Sequence, residues 1–264
     1  MTGAANREGN GKPDELTVSA TLRCWNTAAG NLLFRWRNAL FPGVFVLAAF
    51  TVRPEVILGS ATINSFLLGF GVAVALVGEG FRLLTIGFEY IHRGGKDRRP
   101  YASRLIKEGI YASTRNPMYV GNALIAVGMT LATTSPMAYL VLIPLFLFVY
   151  QAIVSAEEEY LLKKFGSEHE AYCASVNRFL PSFSVIHRLW SRAHWDWKRA
   201  VRKDLSTLMG LVTGLTLLPV WRTYFLQGSV AAELQAVRAL VMMFAFGALY
   251  AVLLYLKKRK RLFS

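Results

Sequence analysis

Hydrophobic residues fall into long uninterrupted runs along this chain, and the charged residues gather in the gaps between them. Apolar runs extend from about Ala39 to Val52, with a kinked continuation past Pro54 to Leu58, and from Ile63 to Phe88. Further runs cover Tyr119 to Thr133, Met137 to Ala156, Leu205 to Phe225 and Leu234 to Leu256. Each approaches the roughly 20 residues with which a helix crosses a bilayer. Thr134-Ser135-Pro136 makes a tight turn between the third and fourth runs, so that pair reads as an αα-hairpin. Leu22 to Asn38 mixes Trp25 and Trp36 with Arg23, Arg35 and Arg37, the aromatic and cationic mixture of the headgroup level. From Phe183 to Lys203, Trp190, Trp195 and Trp197 interleave with Arg188, Arg192, Lys198, Arg199, Arg202 and Lys203, which predicts a helix lying in the headgroup plane.

The expected fold is therefore all-α: a polytopic membrane protein of about six transmembrane helices, both termini cytoplasmic, with an interfacial amphipathic helix. Residues 1–20 are expected to be a disordered tail, since Met1 to Leu16 is polar and lacks the apolar core of a signal peptide. Residues 21–203 are expected to form the core, and 204–264 a C-terminal transmembrane hairpin with a basic tail.

Composition agrees with that pattern. The 264 residues are 54% hydrophobic, with a mean hydropathy of +0.35, too apolar for an ordinary soluble domain. The net charge of +14 is best read as cytoplasmic loops facing anionic lipid, since membrane spans leave little surface for nucleic acid. Arg93, Lys96, Arg98, Arg99, Arg104 and Lys107 place one such loop inside. The two cysteines offer no disulfide framework, and the four histidines lack the spacing of a zinc helix, so no metal is expected. Gly69, Gly71, Gly78 and Gly80 fail the Gly-x-Gly-x-x-Gly spacing and are expected to let membrane helices approach closely. Glu79 and Arg82, three residues apart in a span, are expected to pair, either as a self-satisfied structural pair or as part of a site.

The chemistry concentrates at the two mouths of the hairpin, which share one membrane face. Gly109-Ile110-Tyr111 and Arg115-Asn116-Pro117-Met118-Tyr119-Val120-Gly121 stand before it; Glu157-Glu158-Glu159, Leu161, Phe165-Gly166, Tyr172 and Pro181 follow it. Taken singly these residues have other readings: Arg115 as a snorkelling anchor, the tyrosines as belt residues, the glutamates as a solvated helix end. Their joint spacing resembles the integral-membrane methyltransferases, the isoprenylcysteine carboxyl methyltransferases and phospholipid N-methyltransferases. That family's usual signature is Gly-x-Tyr, Arg-His-Pro-x-Tyr-x-Gly, a helical hairpin, Glu-Glu-x-x-Leu-x-x-x-Phe-Gly, then a Tyr and a Pro. The resemblance covers roughly residues 100–185, and the family's histidine is Asn116 here.

The resemblance implies S-adenosylmethionine as cofactor, held by Leu105, Ile106, Tyr111, Asn116, Pro117, Met118, Tyr119 and Glu157, with Arg115, Asn116 and Glu158 as the catalytic candidates. It also implies a lipid or lipid-linked acceptor and an active site facing the cytoplasm, at the inner membrane if the source is bacterial. Residue chemistry points the same way. Tyr111 and Tyr119 present faces to a cation, Glu157 accepts from ribose hydroxyls or an ammonium, and Arg115 pairs with a carboxylate. Pro117 at a helix start leaves nearby amides aimed at a ligand. Asn116 can donate or accept a hydrogen bond but cannot titrate, which argues against a proton-shuttling role there and not against binding.

Two other classes compete. A sterol-type NADPH-dependent reductase shares a similar Arg-His-Pro-x-Tyr segment, but a 2′-phosphate favours basic residues where Glu157 and Glu158 stand. A non-enzymatic scaffold or transporter does not suit charges gathered at one face. Carboxyl-methylating relatives carry an arginine about one turn before the glutamate pair; Ile153 stands there, with Gln151 and Ser155 nearby. That favours an amine, hydroxyl or thiol acceptor over a prenylcysteine carboxylate.

Overall fold

The computed structural model describes residues 15–88, 102–192 and 195–258; for 15–28, 38, 191, 192 and 256–258 it describes the backbone alone. Among the described residues the chain forms eight α-helices, two 3-10 turns and no strand. They are α1 Glu15–Thr51, α2 Ala61–Phe88, α3 Pro117–Ala132, α4 Pro136–Phe165, α5 Ser167–Ser175, α6 Phe183–Arg192, α7 Trp197–Gln227 and α8 Ser229–Lys258. By length and apolarity α2, α4, α7 and α8 can each cross a membrane, and the bent α1 adds a fifth such segment. The 16-residue α3 is shorter than a typical span. All-α architecture is thus as the hydropathy pattern predicts.

Several boundaries differ, each for a local reason. Most of the expected tail, residues 1–14, lies outside the described residues, as does most of the basic loop, 89–101. α1 begins at Glu15, takes in the Trp- and Arg-rich stretch, and bends by 81° between Ala29–Arg37 and Ala39–Thr51. Pro42 lies inside α1, and a proline ring clashes with the carbonyl four residues earlier, which is that of Asn38 at the bend. The continuation past Pro54 does not form: α1 stops at Thr51, and only a 3-10 turn over Ile57–Gly59 follows. A residue before proline is driven out of the helical region, so Arg53 ends the possibility of a continuous helix. The single interfacial helix expected over Phe183 to Lys203 is two helices, with Asp196 capping α7 by accepting from Arg199 N at 2.9 Å. α7 then runs unbroken through Lys203 and Asp204, where a division of core from C-terminal hairpin was expected.

α2 and α3 pack through small residues. A Cβ on Gly78 would lie 2.7 Å from Gly121 O, and one on Gly71 would lie 2.6 Å from Gly128 O. Gly69 and Gly80 face open space, so only two of the four α2 glycines serve helix approach. α1 packs on α4 through Phe41, Phe45, Phe146 and Tyr150, with Phe41 and Tyr150 stacked at 4.7 Å between centroids. At the far end from the glutamates, Glu55 N donates to Thr134 O at 3.0 Å and Asn64 pins the α1–α2 link through Glu55 O and Ile57 N. The outward face of α8 is apolar, with Val230 81% and Phe244 82% exposed, as a lipid-facing helix requires.

Candidate active site

The α3–α4 hairpin brings the two expected clusters together. α4 does not end at Glu157 but continues to Phe165, capped by Gly166, so the glutamates sit on a helix that projects beyond the apolar hairpin. Successive residues turn by about 100° around a helix, and Glu157 and Glu158 consequently face different partners. Tyr119, in the first turn of α3, donates its hydroxyl to Glu157 Oε1 at 2.7 Å. Arg37 of α1 donates to the same hydroxyl at 3.1 Å and lies 3.6 Å from Glu157 Oε1. Its guanidinium is stacked 4.0 Å from the centroid of buried Phe34.

Glu158 turns toward the loop before α3. It pairs with Arg178 Nε at 2.8 Å, lies 3.5 Å from Arg115 Nε, and accepts from Asn116 Nδ2 at 3.2 Å. The same loop is stitched to the segment after α5: Arg115 N donates to Asn177 O, Ser182 N to Ser113 O, and Thr114 Oγ1 to Arg178 O. Gly109, at φ 62°, takes the left-handed conformation that starts the 3-10 turn carrying Tyr111. Tyr172 of α5 fixes that turn by donating to Tyr111 O at 2.7 Å, and burial raises its pKa, keeping the hydroxyl a donor. The Tyr…Pro stretch after the glutamates is therefore the clamp on the loop before the hairpin.

These residues open onto one cavity of about 2040 Å³. Leu105, Ile106, Tyr111, Arg115, Asn116, Pro117, Met118, Tyr119 and Glu157 all line it; Glu158 does not. The cavity continues along α3 past Ile125, Ala126 and Met129 to Thr133, between Phe41 and Phe45 of α1 and Leu211, Gly214 and Trp221 of α7. Since α3 rises about 1.5 Å per residue, the cavity follows roughly 24 Å of helix through the apolar layer. Ile153 lines it at the position where carboxyl-methylating relatives carry an arginine, and Gln151 and Ser155 do not.

Sequence reasoning missed three contributors. Arg37 sits in a stretch whose aromatic and cationic mixture reads equally well as a headgroup belt. Arg178 carries no motif of its own. The third is a buried cluster: Arg82 and Glu79 do pair, at 3.5 Å, but Arg82 also forms a two-pronged bond to fully buried Asp204 of α7. Gly121 leaves room for the Arg82 stem, which the Cβ of any other residue there would strike. Among the described residues no group of His, Cys, Asp and Glu could hold a metal ion.

His169, 3% exposed in α5, lies beside Tyr172 at 6.4 Å between ring centroids. Burial lowers its pKa, opposed by Glu158 and assisted by Arg115. An unfolded chain would take up a proton near the ordinary value of about 6.5 while the folded chain resists it. Stability contributed by neutral His169 is thus complete above about 6.5 and is lost as pH falls below it toward the folded value. The thermal midpoint is expected to fall on acidification in that window, and His169→Gln to flatten the dependence.

Among the described residues, the all-helical architecture with several membrane-length helices and a large cavity with polar residues at one end defines the class: a multi-pass membrane protein. Residues 57–168 match the phospholipid methyltransferase family, and the resemblance read from the motifs stands. The chain is also 27% identical over 115 residues to protein-S-isoprenylcysteine O-methyltransferase B of Arabidopsis thaliana, covering 42% of this chain. It spans 58% of that relative's length. No solved structure matches it.

Proposed function

We propose that the chain is an S-adenosylmethionine-dependent methyltransferase whose acceptor is lipid-borne. One observation carries this reading: the residues at the mouths of the hairpin line a single cavity that continues as an apolar channel along α3. A cavity of about 2040 Å³ exceeds the roughly 300–1,000 Å³ of ordinary small-molecule sites, so it has room for a cofactor and a long-chain acceptor together. The matched family supports the methyl-transfer part and the channel the lipophilic part.

The residues present fit the cofactor. Tyr111 and Tyr119 offer aromatic faces to a cation, Glu157 offers a carboxylate at the cavity wall, and Arg115 offers a guanidinium. The positive end of α3 opens at Pro117 beside them. S-adenosylmethionine supplies, when bound, an electrophilic methyl on a sulfonium, open to in-line displacement. The protein's contribution is alignment and exclusion of water, worth about 7–11 kcal/mol where geometry is well held. Tyr119 and Arg37 orient Glu157. Glu158 acts from outside the cavity, as a positioning residue that holds Arg115 and Asn116 in its wall. Asn116 takes the family histidine's place as a hydrogen-bonding group, engaged with Glu158 Oε1 and Arg178 O, each at 3.2 Å.

The test is ligand choice. S-adenosylhomocysteine is expected to raise the thermal midpoint in detergent, a bound ligand at a hundredfold excess over Kd adding about 2.7 kcal/mol. A shift with NADPH and none with the adenosyl ligand would replace this reading with the reductase.

A further inference from the structure

The polar groups lining the cavity just below Tyr119 have no role in the reading above. Asn122 stands three residues after Tyr119 in α3, about one turn deeper into the apolar layer, and it lines the cavity together with Arg82. Arg82 Nη1 donates to Asn122 Oδ1. A guanidinium carries five N–H donors and no acceptor, so the asparagine must present its oxygen to Arg82. Its amide N–H groups are thereby aimed away from the guanidinium. Arg82 is itself held: Nε donates to Asp204 Oδ2 at 3.1 Å, and Nη2 donates to Asp204 Oδ1 and, at 2.9 Å, to Thr207 Oγ1. These bonds use four of the five donors and leave one on Nη1, beside the Asn122 amide.

The cavity wall at this depth therefore offers N–H donors fixed by an ion pair from α7. Arg82 and Asn122 lie within the family-matched residues 57–168, while the residues that brace Arg82, Asp204 and Thr207 of α7, lie beyond them. We propose that Asn122, oriented by Arg82 and Asp204, is the subsite for a hydrogen-bond-accepting oxygen in the acceptor's polar head, such as a carbonyl, ester or phosphoryl oxygen. This rests on the methyl-transfer reading. An oxygen bound there sets the head one turn below the Tyr119–Glu157 pair and leaves the hydrocarbon to run on past Ile125 and Met129. Asn122 is then a binding residue and Arg82 a positioning one.

The experiment uses the full chain in detergent micelles, radiolabelled S-adenosylmethionine and a total polar lipid extract, reading label carried into the organic phase. S-adenosylhomocysteine binding is measured in parallel. Asn122→Leu removes the donor. Asn122→Asp exchanges it for an acceptor while keeping a partner for Arg82, so it remains informative if the leucine variant fails to fold. Both are expected to raise KM for the extract by roughly tenfold or more, the scale of one lost hydrogen bond to a polar group, with a smaller change in kcat and unchanged S-adenosylhomocysteine affinity. A purely structural role would instead lower cofactor affinity and kcat together. Unchanged KM in both variants, with wild type binding and labelling, overturns the subsite alone. Cofactor binding by the wild type with no label in lipid also overturns the subsite. Neither binding nor labelling by the wild type overturns the methyl-transfer reading and this inference together.

Discussion

Asp204→Ala is expected to lower the stability of the folded chain by about 3–5 kcal/mol, the scale seen when one partner of a buried ion pair is removed. Asp204 is fully buried and Arg82 4% exposed, so most of the guanidinium left behind loses its charged partner away from water. The loss is specific to this arrangement because Arg82 joins three helices: its own α2, α3 through Asn122 and α7 through Asp204 and Thr207. Glu79, 3.5 Å from Arg82 Nε, supplies a second carboxylate, and Asp204→Asn therefore costs less than alanine: it keeps the shape and one acceptor. Each kcal/mol moves the midpoint of a chain of this size by about 2–4 °C, so thermal unfolding in detergent resolves these cases. A midpoint for Asp204→Ala within a few degrees of wild type would show that the cluster is not a tie between helices.

The same cluster marks the limit of what the sequence makes legible. Spacing across a hairpin is a local property, and Gly109 to Gly121 and Glu157 to Tyr172 are near enough along the chain for the αα-hairpin to force them to one face. Arg82 and Asp204 are separated by 122 positions, and nothing in a single sequence pairs α2 with α7. Glu79, the near neighbour, could be foreseen; the stronger partner could not. Arg37 was concealed differently: Arg35-Trp36-Arg37 satisfies the rule for an interfacial belt, and only the 81° bend at Asn38 explains how a headgroup-like stretch reaches Tyr119 and Glu157. A polar helix from Glu157 onward follows from the sequence, but its continuity with the apolar α4 does not, because the hydropathy run ends at Ala156 while the helix continues to Phe165. Glu158 shows a third kind of limit. Adjacent glutamates read alike in sequence, yet a helix separates their directions, giving one to the cavity and the other to the loop that Arg178 and Arg115 anchor.

That divergence makes Glu157 the sharpest test of the cofactor site. Glu157→Gln is expected to weaken S-adenosylhomocysteine by roughly ten- to a hundredfold, since hydrogen bonds to a charged group are worth about 1.5–3 kcal/mol. The change keeps the volume and one acceptor oxygen for Tyr119, so the fold should survive it, and the binding loss then reports charge at the cavity wall. Glu159→Gln is the control. Its carboxylate pairs with Lys163 on the same exposed stretch of α4 and does not line the cavity, so affinity should remain near wild type. Tyr119→Phe separates orientation from charge: it removes the 2.7 Å bond that holds Glu157 and is expected to fall between the two. Titrating the three variants by calorimetry in the same detergent gives the order directly. Equal affinities for Glu157→Gln and Glu159→Gln would mean that Glu157 only braces Arg37 and Tyr119 against α4, and the cofactor would then have to be sought elsewhere along the cavity.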